Sequence, residues 1–261
     1  MHQSLWISKT GLAAQDTKMN VISNNLANVG TTGFKKERAV FNDLLYQIKR
    51  QPGAASSQDT NLPSGLQQGT GVRTVATQKM FNMGSLEVTE NALDVAVNGR
   101  GFLQVAMPDG SIGYTRDGSL QIDETGQIVT SQGYVVQPAI TLPATAATVT
   151  ISEDGVVTVV DGATGVANQA GQFQLADFIN PTGLQAIGGN LFKETTASGA
   201  PTVGNAGVNG MGSLLQGTLE SSNVSVVEEL VDMISTQRAY EMNSKVISTV
   251  DQMLATVSQN M

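Results

Sequence analysis

The stretch VISNNLANVGTTGFKKERAVF (Val21–Phe41) is a helix end marked by an unusual density of punctuation. Apolar residues reach Leu26, and Asn24, Asn25 and Asn28 fall within five positions. Gly30, Gly33 and Phe34 follow, then a basic run of Lys35, Lys36 and Arg38. Asparagine and glycine tolerate positive φ, so a left-handed C-terminal turn is expected at Gly30 or Asn28. The basic run is expected to form a solvated or intersubunit face.

Upstream of this stop, Leu5, Leu12, Met19 and Leu26 are spaced by seven, and Ile22 joins the same stripe. A seven-residue apolar spacing is the seam of a coiled coil. It predicts a helix of about 22 residues, near ~33 Å long. The same spacing returns at the other end of the chain, in Val226, Met233, Tyr240, Ile247 and Leu254. There the helix is expected to run about 32 residues, or ~48 Å. Ser222 or Asn223 is its expected cap, and Glu228, Glu229 and Asp232 complement the macrodipole near its start. A helix with one apolar stripe must bury it. The two seams satisfy this by pairing with each other, with copies of the chain supplying the remainder, or by each packing on the middle of the chain.

Between the helices the period changes. FLQVAM, IGYTR, SLQI, QIVT and YVVQ are separated by PDGS, RDGS, DETGQ and SQGY, and TVTIS, VVTVV, FQLADF and NLFKET follow. Gly110, Gly118, Gly126 and Gly133 are expected to supply the positive φ of tight turns, which indicates an antiparallel β domain. The acids Asp109, Asp117, Asp123, Asp154 and Asp161 read as turn residues, not as a catalytic pair or a calcium loop. The segment Tyr46–Val72 is rich in Gln, Ser, Gly and Pro, including Arg50, Pro52, Gly53 and Pro63. It reads as a linker too long to be idle in a compact domain.

The totals narrow the chemistry. The 261 residues contain no cysteine, and His2 is the single histidine. Serine-hydrolase triads, Cys–His dyads, HExxH and His- or Cys-based zinc sites are therefore excluded. No phosphate-binding glycine loop occurs; Gly69/Gly71 and Gly99/Gly101 read as bends. No catalytic, cofactor-binding or metal residue is expected, and no cofactor. The net charge is −8. Residues 1–50 carry +4, while residues 51–225 carry −9 and 226–261 carry −3. The basic arm lacks interleaved aromatics, so no nucleic-acid partner is expected. No apolar run is long enough to span a bilayer, and the first residues show no signal-peptide core. The chain is expected to stay in the cytoplasm unless it leaves by a signal-independent route.

Three segments carry a resemblance to a known family. NNLANVGTTGFK (Asn24–Lys35) resembles the N-terminal signature of the bacterial flagellar rod and hook axial proteins. Asn24, Asn25, Asn28, Gly33 and Phe34 fall within it. SSNVSVVEELVDMISTQRAYEMNSKVISTVDQML resembles the C-terminal signature, with Gln237, Arg238, Tyr240 and Glu241. RQPGAASSQDTNLPSGLQQGTGV and the downstream YTRDGS are similar to the distal-rod members.

The resemblance implies an α+β fold. Residues 1–34 and 222–261 would form a paired, coiled-coil-like helical terminal domain. Residues 35–95 and 205–221 would connect, with the rod-type insertion at 46–72, and 96–204 would form the β-rich outer domain. It further implies a structural axial protein, not an enzyme, in the periplasm-spanning rod of the flagellar basal body. Such a subunit polymerises helically into the torque-transmitting drive shaft. It would leave the cell through the flagellar type III export apparatus without a cleaved signal. Its implied neighbours are sister copies, proximal rod proteins below, hook protein above, and the P-ring and L-ring proteins around. A hook or proximal rod subunit is the alternative within the class. A β-rich carbohydrate-active enzyme or a surface binding module is the alternative outside it.

Overall fold

The computed structural model describes residues 3–51, 64–162 and 165–259, and the positions Pro52, Gly53 and Pro63 lie outside them. The fold is α+β, with a helix at each end of an antiparallel β-rich region. Helix α1 spans Gln3–Ala27 and helix α2 spans Val226–Gln259. Glu228 and Glu229 occupy the first turn of α2, where the exposed N–H groups favour anions. The chain divides into two units. A helical unit takes residues 1–26, 37–78 and 225–261, and a β-rich unit takes 27–36 and 79–224.

Two helix ends differ from expectation. Neither Gly30 nor Asn28 adopts positive φ; Gly33 does, at 67°. A Cβ on Gly33 would lie 2.7 Å from Asp117 N, so both conformation and space demand glycine there. At α2 the expected caps Ser222 and Asn223 precede the helix by several residues, and Glu229 N donates to Ser225 O at 3.0 Å. Asn223 serves the β-rich unit instead. Its Oδ1 accepts from Lys36 N at 2.6 Å, and its Nδ2 donates to Met80 O and Asn82 O at 2.8 and 3.0 Å.

In the helical unit, Glu37–Asp43 pairs with Val72–Lys79, and Gln47–Arg50 pairs antiparallel with Leu66–Gln68. This ribbon packs on α1. Val72 N donates to Thr10 Oγ1 at 3.3 Å, and a Cβ on Gly71 would fall 2.2 Å from that hydroxyl. The polar stretch that reads as a linker therefore begins and ends as a strand pair.

The β-rich unit centres on a seven-stranded sheet. Its path runs Gln185–Gly188, Leu191–Lys193, Ile112–Thr115, Phe102–Ala106, Gln174–Asp177 and Thr202–Asn205, with Val136–Gln137 also paired to Phe102–Ala106. Alternation along Phe102–Ala106 splits the core in two. Leu103 and Val105 face an aliphatic cluster with Val97, Ile128, Phe173 and Leu175. Phe102 faces Tyr114, Phe178 and Phe192, stacked edge to face with centroids 4.8 to 6.0 Å apart. Each of these side chains contributes about 1.5–3 kcal/mol by leaving water.

The turn glycines follow expectation at Gly110, Gly126 and Gly133, with φ of 80°, 77° and 83°. Gly118 does not adopt positive φ. Its role is close approach: a Cβ there would sit 1.6 Å from Val95 O, and Val95 N donates to Gly118 O at 3.0 Å. Ala146–Ile151 is an outer strand paired on one side with Val156–Asp161. On its other side the Gln216 carboxamide donates to Val149 O at 2.9 Å and accepts from Ile151 N at 3.1 Å, as a neighbouring strand would.

Candidate assembly interface

The helices lie antiparallel. Asn25 meets Glu229 at 3.3 Å, Lys18 meets Asp232 at 4.0 Å, and a Cβ on Gly11 would touch Asn243 at 3.2 Å. Buried on this contact side are Ser8, Ala14, Ile22 and Asn25 of α1. On α2 the buried positions are Glu229, Thr236 and Val250, which with half-buried Asn243 are again spaced by seven. The seam found from the sequence lies beside this line. Leu5, Leu12, Met19, Leu26, Met233, Ile247 and Leu254 are half-buried, Ile22 is buried, and Val226 and Tyr240 are exposed. The line that joins the helices is thus mostly small or polar, with Ile22 and Val250 as its apolar members and larger apolar residues on its shoulders.

At 100° per residue, the side of α2 opposite Glu229 and Thr236 carries Val227, Val231, Ile234 and Met242, with Val246 and Met253 on its flank. All six are exposed, and Val227 is 72% accessible. Gln237, Arg238 and Glu241 are exposed as well, and Asn24 is exposed on α1. The insertion ribbon presents a second apolar surface, with Leu45 90% accessible and Tyr46, Ile48 and Leu66 all above half. Arg50 is exposed on the same ribbon.

Asn25 explains part of the punctuated helix end. Its Nδ2 donates to Glu37 O at 2.8 Å while its Oδ1 accepts from Glu37 N at 2.9 Å. The side chain thus imitates a strand partner for the first residue of the ribbon. A buried carboxamide so satisfied fixes one geometry, because any shift leaves polar atoms unpaired. Asn28 accepts from Thr31 Oγ1 at 3.3 Å and shapes the turn that follows.

The basic run is not a solvated face throughout. Arg38 is exposed and bonds Gln78, but Lys35 is fully buried in the β-rich unit. Its Nζ lies 2.5 Å from Glu220 Oε1 and donates to Asn82 O at 2.9 Å. Gly84 N donates to the same carboxylate oxygen at 2.8 Å. Arg116 reaches Glu220 Oε2 at 3.4 Å, Val97 O at 3.1 Å and Gly99 O at 2.6 Å. Burial pushes the Lys35 ammonium below its usual range, and the adjacent Glu220 carboxylate offsets part of that. Burial likewise lowers Arg116, against the opposing pull of Glu220. Sequence reasoning missed this cluster, since Lys35 and Glu220 are 185 residues apart.

The turn acids act locally. Asp109 Oδ1 accepts from Ser111 N and Oγ, and Asp117 Oδ1 does the same for Ser119. Hydrogen bonds from Ser111 hold the Asp109 carboxyl below the ordinary carboxylate range. A recess of about 360 Å³ on the sheet is lined by uncharged residues, among them Gln104, Gln137, Gln174 and Ser111. Among the described residues no group of three His, Cys, Asp or Glu could hold a metal ion. Among them, too, no helix is long and apolar enough to cross a membrane.

Three family models match the chain. Residues 5–35 match the flagella basal body rod protein, and residues 96–159 match the flagellar hook protein FlgE/F/G D1 domain. Residues 215–260 match the flagellar basal body rod FlgEFG protein C-terminal segment. Over 259 residues the chain is 56% identical to flagellar basal-body rod protein FlgG of Buchnera aphidicola subsp. Schizaphis graminum, spanning 99% of this chain and all of that relative. The chain belongs to the FlgG family of flagellar basal-body rod proteins. The same-named protein from Buchnera aphidicola subsp. Acyrthosiphon pisum is 55% identical, covering 99% of this chain and all of that relative. That of Borreliella burgdorferi is 48% identical over 97% of both chains. In this rod protein the two end matches hold most of both helices, and they also hold Lys35 and Glu220.

Proposed function

We propose that this rod protein is a subunit of the distal rod, built by helical polymerisation through the faces of its terminal helices. The observation that carries the reading is the outward apolar stripe of α2, from Val227 to Met242, on the side away from α1. A structural rod is the setting in which such a stripe is covered, because many identical copies supply many identical faces. Contacts of this kind are heterologous and do not close, which yields a filament. The seam residues that remain accessible, Leu5, Leu12, Met19, Leu26, Val226, Met233, Tyr240, Ile247 and Leu254, take the flanking contacts, while Ile22 stays inside the helix pair. Burying both on docking couples helix ordering to assembly, which suits a chain that travels extended through the type III export apparatus.

The insertion beginning at Tyr46 lies along neighbouring subunits through Leu45, Tyr46, Ile48 and Leu66 and resists their sliding. That restraint makes the polymer a straight shaft, not a bendable hook. Below it stand the proximal rod proteins, above it the hook protein, and around it the P-ring and L-ring proteins. The acidic excess of residues 51–225 keeps the outer face hydrated within the rings. The test replaces a half-buried seam residue, Leu12→Asp or Ile247→Asp, in cells that lack the wild-type subunit. The expected outcome is a protein that keeps its β-rich unit, read by near-ultraviolet circular dichroism, yet yields no rods in electron micrographs of isolated basal bodies. Rods of normal length would overturn the reading.

A further inference from the structure

Lys35, Arg116 and Glu220 come from the beginning, the middle and the end of the β-rich unit. Their side chains are at most 5% exposed, and they place two cations around a single carboxylate. Arg116 Nε meets no acceptor among the described residues, so the cations are not over-supplied with partners. Around this pair the chain is also stitched by its backbone. Gly33 N donates to Glu220 O at 2.8 Å, and Ser221 N donates to Ser85 O at 2.8 Å. Glu220 ends the strand Thr218–Glu220, five residues before α2 begins after Ser225.

Breaking a buried ion pair from one side is far more costly than lacking the pair altogether, because the remaining charge stays out of water. Without Glu220, two buried cations would share only backbone carbonyls. The sheet around Val97, Gly99 and Arg116 could then close only by desolvating unbalanced charge. We propose that Glu220 is a folding latch: the β-rich unit closes around Lys35 and Arg116 only once the strand carrying Glu220 is in place. A chain delivered end first through a channel, as the rod reading requires, would thereby stay open until residue 220 had arrived. The latch links the two places where the chain enters and leaves the β-rich unit, so closure also certifies that both are correctly joined.

The test uses the purified full-length protein as a monomer, so its outcome is independent of polymerisation and of the rod reading. Hydrogen exchange is followed at the central-strand amides of Leu103, Val105 and Leu175 in the wild type, in Glu220→Gln, and in the double variant Lys35→Met/Glu220→Gln. Glu220→Gln is expected to accelerate exchange about a hundredfold or more. The double variant, with one cation left and carbonyl partners for it, is expected to recover at least about tenfold of that protection. If Glu220→Gln does not fold at all, a folded and protected double variant supports the latch. Exchange in Glu220→Gln within about threefold of wild type would overturn it. So would a double variant that exchanges as fast as the single one, or equally fails to fold, because charge imbalance would then not be what holds the unit open.

Discussion

The two units dispose of their apolar residues in opposite ways. In the β-rich unit Leu103, Val105, Phe173 and Leu175 are essentially inaccessible, and the polar groups that share the interior are paired apart from Arg116 Nε. In the helical unit the inside of the helix pair mixes Ser8, Asn25, Glu229 and Thr236 with Ala14, Ile22 and Val250, while Val227, Val231 and Met242 face outward. One unit completes its core with its own chain. The other has a contact line that sets register through hydrogen bonds and leaves the hydrophobic gain to be collected elsewhere.

That contrast is broken most severely by a change in the β-rich unit. Gly118→Ala would place a methyl against Val95 O, where only a backbone shift makes room. It is expected to cost more than about 3 kcal/mol in urea unfolding, the range of overpacked sites with no slack. A loss below about 1 kcal/mol would mean that the Val95 strand yields freely.

A smaller effect separates the units by pH. Burial, and then the nearby Glu194 carboxylate, pushes the Tyr114 phenol up to about 12 from an ordinary value of 10.0. The folded state therefore disfavours the phenolate. This stability contribution is complete below pH 10 and is lost as pH rises from 10 through about 12. Lys35 works in the other direction, since its lowered pKa means that stability rises with pH up to its ordinary value of 10.5. The clean comparison is wild type against Tyr114→Phe, monitored by near-ultraviolet dichroism between pH 10 and 12. The variant should lose less stability across that window, and equal losses would discard the assignment.

The smallest expected change is the most diagnostic for the helical unit. Val231→Ser and Met242→Ser remove exposed apolar groups and should alter monomer stability by no more than about 0.5 kcal/mol in chemical denaturation. The same variants should polymerise poorly when concentrated, as seen by light scattering. A monomer destabilised by more than about 2 kcal/mol would show that the stripe is already buried in the single molecule.

Much of this architecture can be read from the residues alone, because the helices and the hairpin turns are local patterns. Seven-residue spacing marks α1 and α2, and Gly110, Gly126 and Gly133 mark turns because φ is a property of one residue. What escapes is relational. Gly118 sits in the same Asp-Gly context as Gly110, yet it is required by a carbonyl from Val95. The strand pair Gln47–Arg50 with Leu66–Gln68 is hidden by polar composition, because an exposed ribbon needs no apolar alternation. The apolar stripe that sequence periodicity selects on α2 flanks the intramolecular contact, because the inner line of Glu229, Thr236 and Asn243 is polar and gives no apolar period to read. Lys35 reads as one more surface cation until Glu220 is folded against it.

One carboxamide has a bearing on how such a molecule stays soluble at the concentrations that building a shaft demands. Gln216 occupies the hydrogen-bonding groups of Val149 and Ile151 on the free margin of an uncharged strand built of Ala, Thr, Val and Ile. Left bare, that margin would be a template for β-stacking between stray copies. Sealed with a side chain that cannot propagate, that margin offers no start to amyloid-like self-association.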